Sequence, residues 1–327
     1  MTFARSLGAV GRFMIRAGVL ILLFVVYQLW GTAIHTAGAQ DDLAREFKAQ
    51  QEAVGQGTSS TTADTTATTA TTSGPNATIA PPAPAAPLPA PAVGQPIGQI
   101  TIPRIGADFY MVEGTDLRWL KEGPGHFSGT PLPGQAGNAA VAGHRTTYKA
   151  PFNRIDELQP GDKITITTLQ GTFTYAVLPQ PGTEPGAAAS GHRIVSPSAV
   201  EILDNKGDNR LTLMACNPKY SASQRIVVEA RLVGNPAPST PKATVTTDVS
   251  QNDLAGIGLA GGDPSARAAA IGYSLLALAI WFVAWYLAHR RLRSWWRILP
   301  YVLLLPLFSV ALYASFENIT RLLPGAY

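Results

Sequence analysis

The chain has 327 residues, 46% hydrophobic and only 14% charged, with a formal net charge of +4. Globular chains carry about 25% charged residues, so the deficit must come from apolar segments, from uncharged low-complexity sequence, or from both. One cysteine excludes an intramolecular disulfide framework and any multi-cysteine zinc or iron–sulfur centre, and so modest a charge gives no ground for nucleic-acid binding.

In chain order, Ala17–Ala33 (AGVLILLFVVYQLWGTA) is uncharged, follows Arg5, Arg12 and Arg16, and precedes the first acid, Asp41. It reads as a membrane-crossing helix with a cytoplasmic N-terminus over residues 1–36. The small residues Ala37-Gly38-Ala39 keep a cleaved signal peptide open as the alternative. Asp41–Val54 is helix-forming and juxtamembrane. Residues 37–96 as a whole read as an extracellular spacer, because Gly55–Pro96 holds one charge, Asp64, in a Thr/Ala run followed by a Pro/Ala run. Such a segment buries too little apolar area to fold, and its proline part favours extended polyproline II.

Length alone suggests about two domains, yet residues 97–233 are the only candidate for a folded one. This stretch reads as mainly β. Alternating runs occur at Gln99–Ile105, Asp108–Glu113, Asn138–His144, Asp162–Thr168, Thr172–Leu178, Arg210–Cys216 and Gln224–Val233, with a turn at Leu169-Gln170-Gly171. Short helices are expected at Thr115–Glu122, capped by Thr115, and at Pro197–Leu203, capped by Ser196. Many short strands and few helices point to a closed barrel or a sandwich.

Residues 234–268 form a linker. Residues 269–289 and 298–316 are two further apolar spans of about one bilayer thickness. Between them, residues 290–297 carry four Arg, no acid, and a Trp pair suited to an interface, which places this loop in the cytoplasm. Residues 317–327 are then a short extracellular tail. The topology puts the central domain outside the cell.

The lone Cys216 ends the strand Leu211–Cys216, before Asn217-Pro218. Alternation puts Leu211, Leu213 and Ala215 on one face and Thr212, Met214 and Cys216 on the other. Pro218 stops the ladder, so the thiol lies at the strand's exit, where it can face a groove. A free Cys is most often a small buried hydrophobe, but an unpaired thiol outside the cell is an oxidation liability, so a catalytic role stands level with that reading. A cysteine nucleophile needs a base or a charged partner. Among His126, His144 and His192, His144 is best placed, directly after an apolar strand; His126 lies in a turn, and His192 follows the Gly/Pro/Ala stretch Pro181–Gly191. Arg225 opens the next strand and is a candidate donor for a developing oxyanion.

Taken together, Gly143-His144-Arg145-Thr146-Thr147, Leu211-Thr212-Leu213-Met214-Ala215-Cys216-Asn217-Pro218 and Gln224-Arg225-Ile226-Val227-Val228 resemble the signature of the sortases, the transpeptidases that attach proteins to Gram-positive cell walls. Gly123-Pro124-Gly125-His126 with Gly137-Asn138 most resembles the class E sortases of actinobacteria. The resemblance covers roughly residues 97–233. It implies an eight-stranded sortase β-barrel with short helices, added to one N-terminal and two C-terminal transmembrane helices. It also implies Cys216 as nucleophile, His144 as general acid–base and Arg225 as oxyanion and substrate-positioning residue. Tyr110, Ala215 and Asn217 are candidates for contacting substrate. The family pattern has Thr where this chain has Ala215, which puts rate or motif preference in question.

The expected reaction is cleavage of a Leu-Ala-x-Thr-Gly or Leu-Pro-x-Thr-Gly sorting signal between Thr and Gly, followed by transfer to a peptidoglycan precursor. The expected partners are secreted proteins bearing such signals, a lipid-linked precursor and the membrane. No cofactor or metal is expected; calcium, used by some sortases, has no readable ligand cluster here. An extracellular thiol hydrolase without transfer, a catalytically dead wall-binding barrel and a pilin-polymerising sortase remain as alternatives, the last disfavoured by the lack of an Asp-Pro-aromatic lid sequence in the spacer.

Overall fold

The computed structural model describes residues 2–60, 89–180, 189–240, 265–290 and 294–322. Most of the expected Thr/Ala/Pro spacer (61–88) and of the linker (241–264) lies outside the described residues, as do parts of the basic loop (291–293) and of the C-terminal tail (323–327).

Among the described residues, nine strands form one sheet: β1 (Pro96–Ile102), β2 (Ala107–Glu113), β3 (Gly125–His126), β4 (Asn138–Ala142), β5 (Lys163–Thr168), β6 (Gly171–Val177), β7 (Arg193–Val195), β8 (Arg210–Asn217) and β9 (Gln224–Val233). Their order is β6-β5-β1-β2-β3-β4-β8-β9, and a β6–β9 pairing closes these eight into a barrel. The ninth strand, β7, shares an edge of β9 with β6: Arg193–Val195 pair with Arg225–Val227, while Thr174–Val177 pair with Ala230–Val233. Closure removes the exposed sheet edges that an open arrangement of these strands would present.

The barrel core holds Ile100, Ile102, Met111, Val141, Ile164, Ile166, Leu211, Leu213, Ala215 and Val228. The opposite faces of β4, β8 and β9 are also buried. Ala140, Ala142, Met214 and Val227 form a second apolar cluster with Ala199 and Ile202 from the segment that follows β7. Strands covered on both faces read as near-continuous apolar runs, as Leu211–Cys216 does. The expected Pro197–Leu203 helix is shorter, a 3-10 turn at Val200–Leu203. The expected Thr115–Glu122 helix is a single turn, α3 (Leu117–Leu120), preceded by Asp116 with no side-chain cap.

The N-terminal segment is helical throughout: α1 (Thr2–Val26), a π-helical turn (Tyr27–Gly31), and α2 (Thr32–Ser60). The expected spacer boundary at residue 37 therefore falls inside α2, which lies against the barrel. Thr32, Thr36, Gln40, Leu43 and Phe47 recur at helical spacing and share one face. Leu43 and Phe47 are buried. The Gln40 amide takes the place of a strand on β2, accepting from Tyr110 N–H at 2.7 Å and donating to Tyr110 O at 2.9 Å and Glu122 O at 2.8 Å. Gly123 permits this approach, because a Cβ there would sit 2.4 Å from the Gln40 amide nitrogen.

Among the described residues, two helices are long and apolar enough to cross a membrane, α4 (Ala266–His289) and the segment Trp296–Leu322 containing α5 (Leu299–Leu322). They meet through small residues, with Ala277 against Ala311 and Ser274 Oγ 2.7 Å from Ser315 Oγ. The apolar helical stretch in α1 is shorter, Met14–Val26. It joins the pair through Phe24 on Phe316 (ring centroids 5.2 Å apart) and through Gln28 Nε2 donating to Thr320 Oγ1 at 3.0 Å. Tyr27 bonds Glu317, and Glu317 lies 3.3 Å from Lys121 of the barrel domain.

Candidate active site

Cys216 and Arg225 are direct partners in the antiparallel β8–β9 ladder, so their side chains leave the sheet on one face. That face is the outer one, shared with Met214 and Val227. Both residues are buried, Cys216 to 9% exposure and Arg225 to 1%. Arg225 Nη1 donates to Ala222 O at 2.8 Å and Gln224 O at 3.0 Å, which fixes the guanidinium plane.

His144 arrives from β4. The parallel β4–β8 register matches Ala142 with Met214, and Gly143 N–H donates to Met214 O at 3.0 Å. His144 stands two residues past Ala142, as Cys216 stands two past Met214, so a continued register would set the two side by side. Three adjacent strand ends therefore deliver His144, Cys216 and Arg225 in a row.

Arg145 supplies a second guanidinium that the sequence reading passed over, although it adjoins His144. It is buried, donates from Nη1 to Cys216 O at 3.2 Å and to Asn217 Oδ1 at 2.6 Å, and lies 3.3 Å from Asp156. Burial pushes the Cys216 thiol above its ordinary range; Arg225 and then Arg145 pull it back down. Asn217 is thus tied to the site by Arg145 and also donates to Gln224 Oε1 at 3.1 Å.

The chain after His144 is unusual. Tyr148, Lys149 and Ala150 have φ of 53°, 58° and 44°, three consecutive non-glycine residues in the left-handed region, each costing roughly 1–3 kcal/mol. The turn is closed by Ala150 N–H to Thr147 O at 2.8 Å and Phe152 N–H to His144 O at 3.2 Å. It carries the Tyr148 ring against the His144 imidazole, with centroids 5.0 Å apart. A cavity of about 620 Å³ opens beside this pair, walled by His144, Tyr148, His35, Lys121, Glu317 and Arg321 among others.

The remaining sequence candidates are placed differently. His126 is buried, with Nδ1 2.7 Å from Glu113 and Nε2 2.9 Å from Pro131 O. His192 Nδ1 is 3.0 Å from Ser190 Oγ; burial lowers its pKa, Asp156 opposes that and Arg145 adds to it. Tyr110 is not brought to the Cys216 row: it lies on β2, with its ring 5.9 Å from Phe47 of α2. Ala215 faces the barrel core, so a threonine hydroxyl there would point inward, and only its backbone is available to a ligand. Among the described residues, no group of three or more His, Cys, Asp or Glu is placed to hold a metal ion.

Residues 100–233 match the family model of the sortase domain. The chain is 30% identical over 240 residues to sortase SrtE1 of Streptomyces coelicolor, an alignment covering 69% of this chain and 56% of that protein. It is 27% identical over 244 residues to sortase SrtE2 of the same organism, covering 70% and 83%. The chain belongs to the sortase family. Sortase E from Streptomyces avermitilis is a solved structure 33% identical in sequence, matched over 44% of this chain and 93% of that one with a TM-score of 0.37. The chain thus spans a little over half the length of one curated class E relative and most of the other. The family-model match, residues 100–233, covers the strands that lead to His144, Cys216 and Arg225 and ends before α4 and α5.

Proposed function

We propose that this sortase is a membrane-anchored cysteine transpeptidase that cleaves a C-terminal Leu-Ala-x-Thr-Gly or Leu-Pro-x-Thr-Gly signal between Thr and Gly and joins the new carboxyl end to a peptidoglycan precursor. The observation that carries this reading is the pairing of the lone thiol, Cys216, with the buried Arg225, inside the segment that matches the sortase domain. Cys216 sulfur attacks the Thr carbonyl carbon. The oxyanion develops beside Arg225, a fixed, permanently charged donor. His144 gives a proton to the departing Gly amine as the peptide C–N bond breaks, leaving a thioester on Cys216. The incoming amine then attacks that thioester, loses a proton to His144 and expels the Cys216 thiolate, so that the thiolate and the protonated imidazole that began the cycle are both restored. Asn217 and the backbone of Ala215 lie next to the nucleophile and would touch the bound signal. The apolar helices α4 and α5, with α1, support a topology in which the N-terminus and the basic loop are cytoplasmic and the barrel is extracellular.

The test uses the full chain in detergent micelles with fluorogenic signal peptides, hydroxylamine as acceptor, and Cys216→Ala as control. A hydroxamate product that disappears in Cys216→Ala is expected. Cleavage that never incorporates the added amine would instead make the protein a thiol hydrolase.

A further inference from the structure

We propose that Tyr148 is a positioning residue for His144 and that Thr32 of the N-terminal helix holds Tyr148 in place, so that the membrane anchor is a working part of the active site. The inference rests on the reading of His144 as the general acid–base.

The argument begins with the left-handed turn. Three successive non-glycine residues at positive φ are not self-sustaining and persist only where surrounding groups over-determine them. Two of the bonds that close the turn come from within it. Another comes from outside: Tyr148 N–H donates to Thr32 Oγ1 at 3.1 Å. Thr32 Oγ1 gives its own proton to Gln28 O at 3.0 Å, so toward Tyr148 it is an acceptor. Thr32 has no exposed surface, and water cannot replace it.

The same side of the molecule holds the Tyr148 ring. Lys121 Nζ lies 5.7 Å from its centroid, and His35 of α2 meets it edge-on at 6.5 Å. Thr36, one turn beyond Thr32, donates to Lys121 O at 2.8 Å. The anchor helix thus sets both the backbone and the surroundings of the ring packed on His144. An imidazole that must protonate one amine and deprotonate another works only within hydrogen-bond reach of each. A ring free to tilt loses that reach, and misplacement by about 1 Å costs about 100-fold.

The test measures kcat and KM of the full chain in detergent micelles, on a Leu-Ala-x-Thr-Gly fluorogenic peptide with hydroxylamine as acceptor. Thr32→Val, which keeps the shape and removes the acceptor, should lower kcat roughly tenfold with KM unchanged. Thr32→Ser should restore kcat to within about twofold, since the hydroxyl returns. Tyr148→Leu should lose at least as much as Thr32→Val, and Tyr148→Phe should recover, because the ring is the operative group. The double variant Thr32→Val with Tyr148→Leu should be no worse than Tyr148→Leu alone. Wild-type kcat in Thr32→Val, with Cys216→Ala inactive, would overturn the positioning role and leave the catalytic reading standing. Turnover surviving in Cys216→Ala would sink the catalytic reading itself. Should Tyr148→Leu fail to fold, the Thr32 variants decide the matter alone.

Discussion

Arg225 lies directly across the β8–β9 ladder from Cys216, one strand-end cation facing one strand-end thiol. The sequence separates them by Asn217–Gln224, whose middle, Pro218–Ser223, is the connecting loop; the antiparallel register brings them together. Because Arg225 is buried and bonded through Nη1 to two backbone carbonyls, its charge arrives in a fixed plane at a site with little water. Such a donor acts on a developing oxyanion without reorganising first.

Arg225→Ala should therefore lower kcat by about 100- to 1000-fold. Arg225→Lys should recover only part, because an ammonium has the charge but not the planar fork. Steady-state peptide cleavage, with melting temperatures to exclude unfolding, checks both. Full activity in Arg225→Lys would show that charge alone suffices.

The thiol itself titrates under opposing influences. Burial raises the Cys216 pKa, and Arg225 and Arg145 lower it by favouring the thiolate. Removing a cation leaves burial less opposed, so Arg145→Gln should shift thiol ionisation to higher pH. The rate of alkylation by iodoacetamide, followed against pH, should show its rising limb displaced upward in Arg145→Gln. A displacement downward, or none, would mean that Arg145 acts only through its hydrogen bonds to Cys216 O and Asn217. The raised thiol also contributes to stability with a definite sign. Its contribution is present below the pKa of the unfolded thiol and is lost as pH rises through the folded value.

The alternation in Leu211–Cys216 was readable because strand period is geometric: Leu211, Leu213 and Ala215 do face the core, and Met214 the outer cluster. The nearness of Arg225 followed from a short connection between antiparallel strands. The neighbour of His144 was not readable in the same way, since β4 and β8 pair in parallel across a long intervening chain and leave no turn signal. The docking of α2 was missed for another reason. Its contact face is Thr32, Thr36, Gln40, Leu43 and Phe47, only two of them apolar, so no hydrophobic period marks it.

That docking face is open to direct test. Phe47 is buried against Tyr110, and truncation to Ala in the full chain should cost about 3 kcal/mol, the lower end for a buried aromatic. Gln40→Ala removes a side chain that satisfies three backbone groups of β2 and the Glu122 turn, and should cost a further 1–3 kcal/mol or so. Thermal unfolding in detergent micelles should show both losses. An unchanged melting temperature in both variants would mean that α2 does not rest on the barrel.

The buried Glu113–His126 pair should matter for stability and not for turnover. His126 Nε2 faces the Pro131 carbonyl and Thr130 Oγ1, and the Thr130 proton is already committed to Phe127 O at 2.8 Å. Two acceptors require that Nε2 carry a hydrogen. One proton is then shared between Nδ1 and the Glu113 carboxyl, 2.7 Å apart. Glu113→Leu strands Nδ1 in a buried site and should cost roughly 1–3 kcal/mol. Glu113→Gln can donate its amide N–H to Nδ1 and should cost less. Because neither residue is in the Cys216 row, kcat/KM well below the melting temperature should stay within about twofold of wild type in both variants, a change of less than 1 kcal/mol in transition-state stabilisation. A hundredfold loss in Glu113→Gln, with its fold intact, would place this second histidine among the groups that turn over substrate.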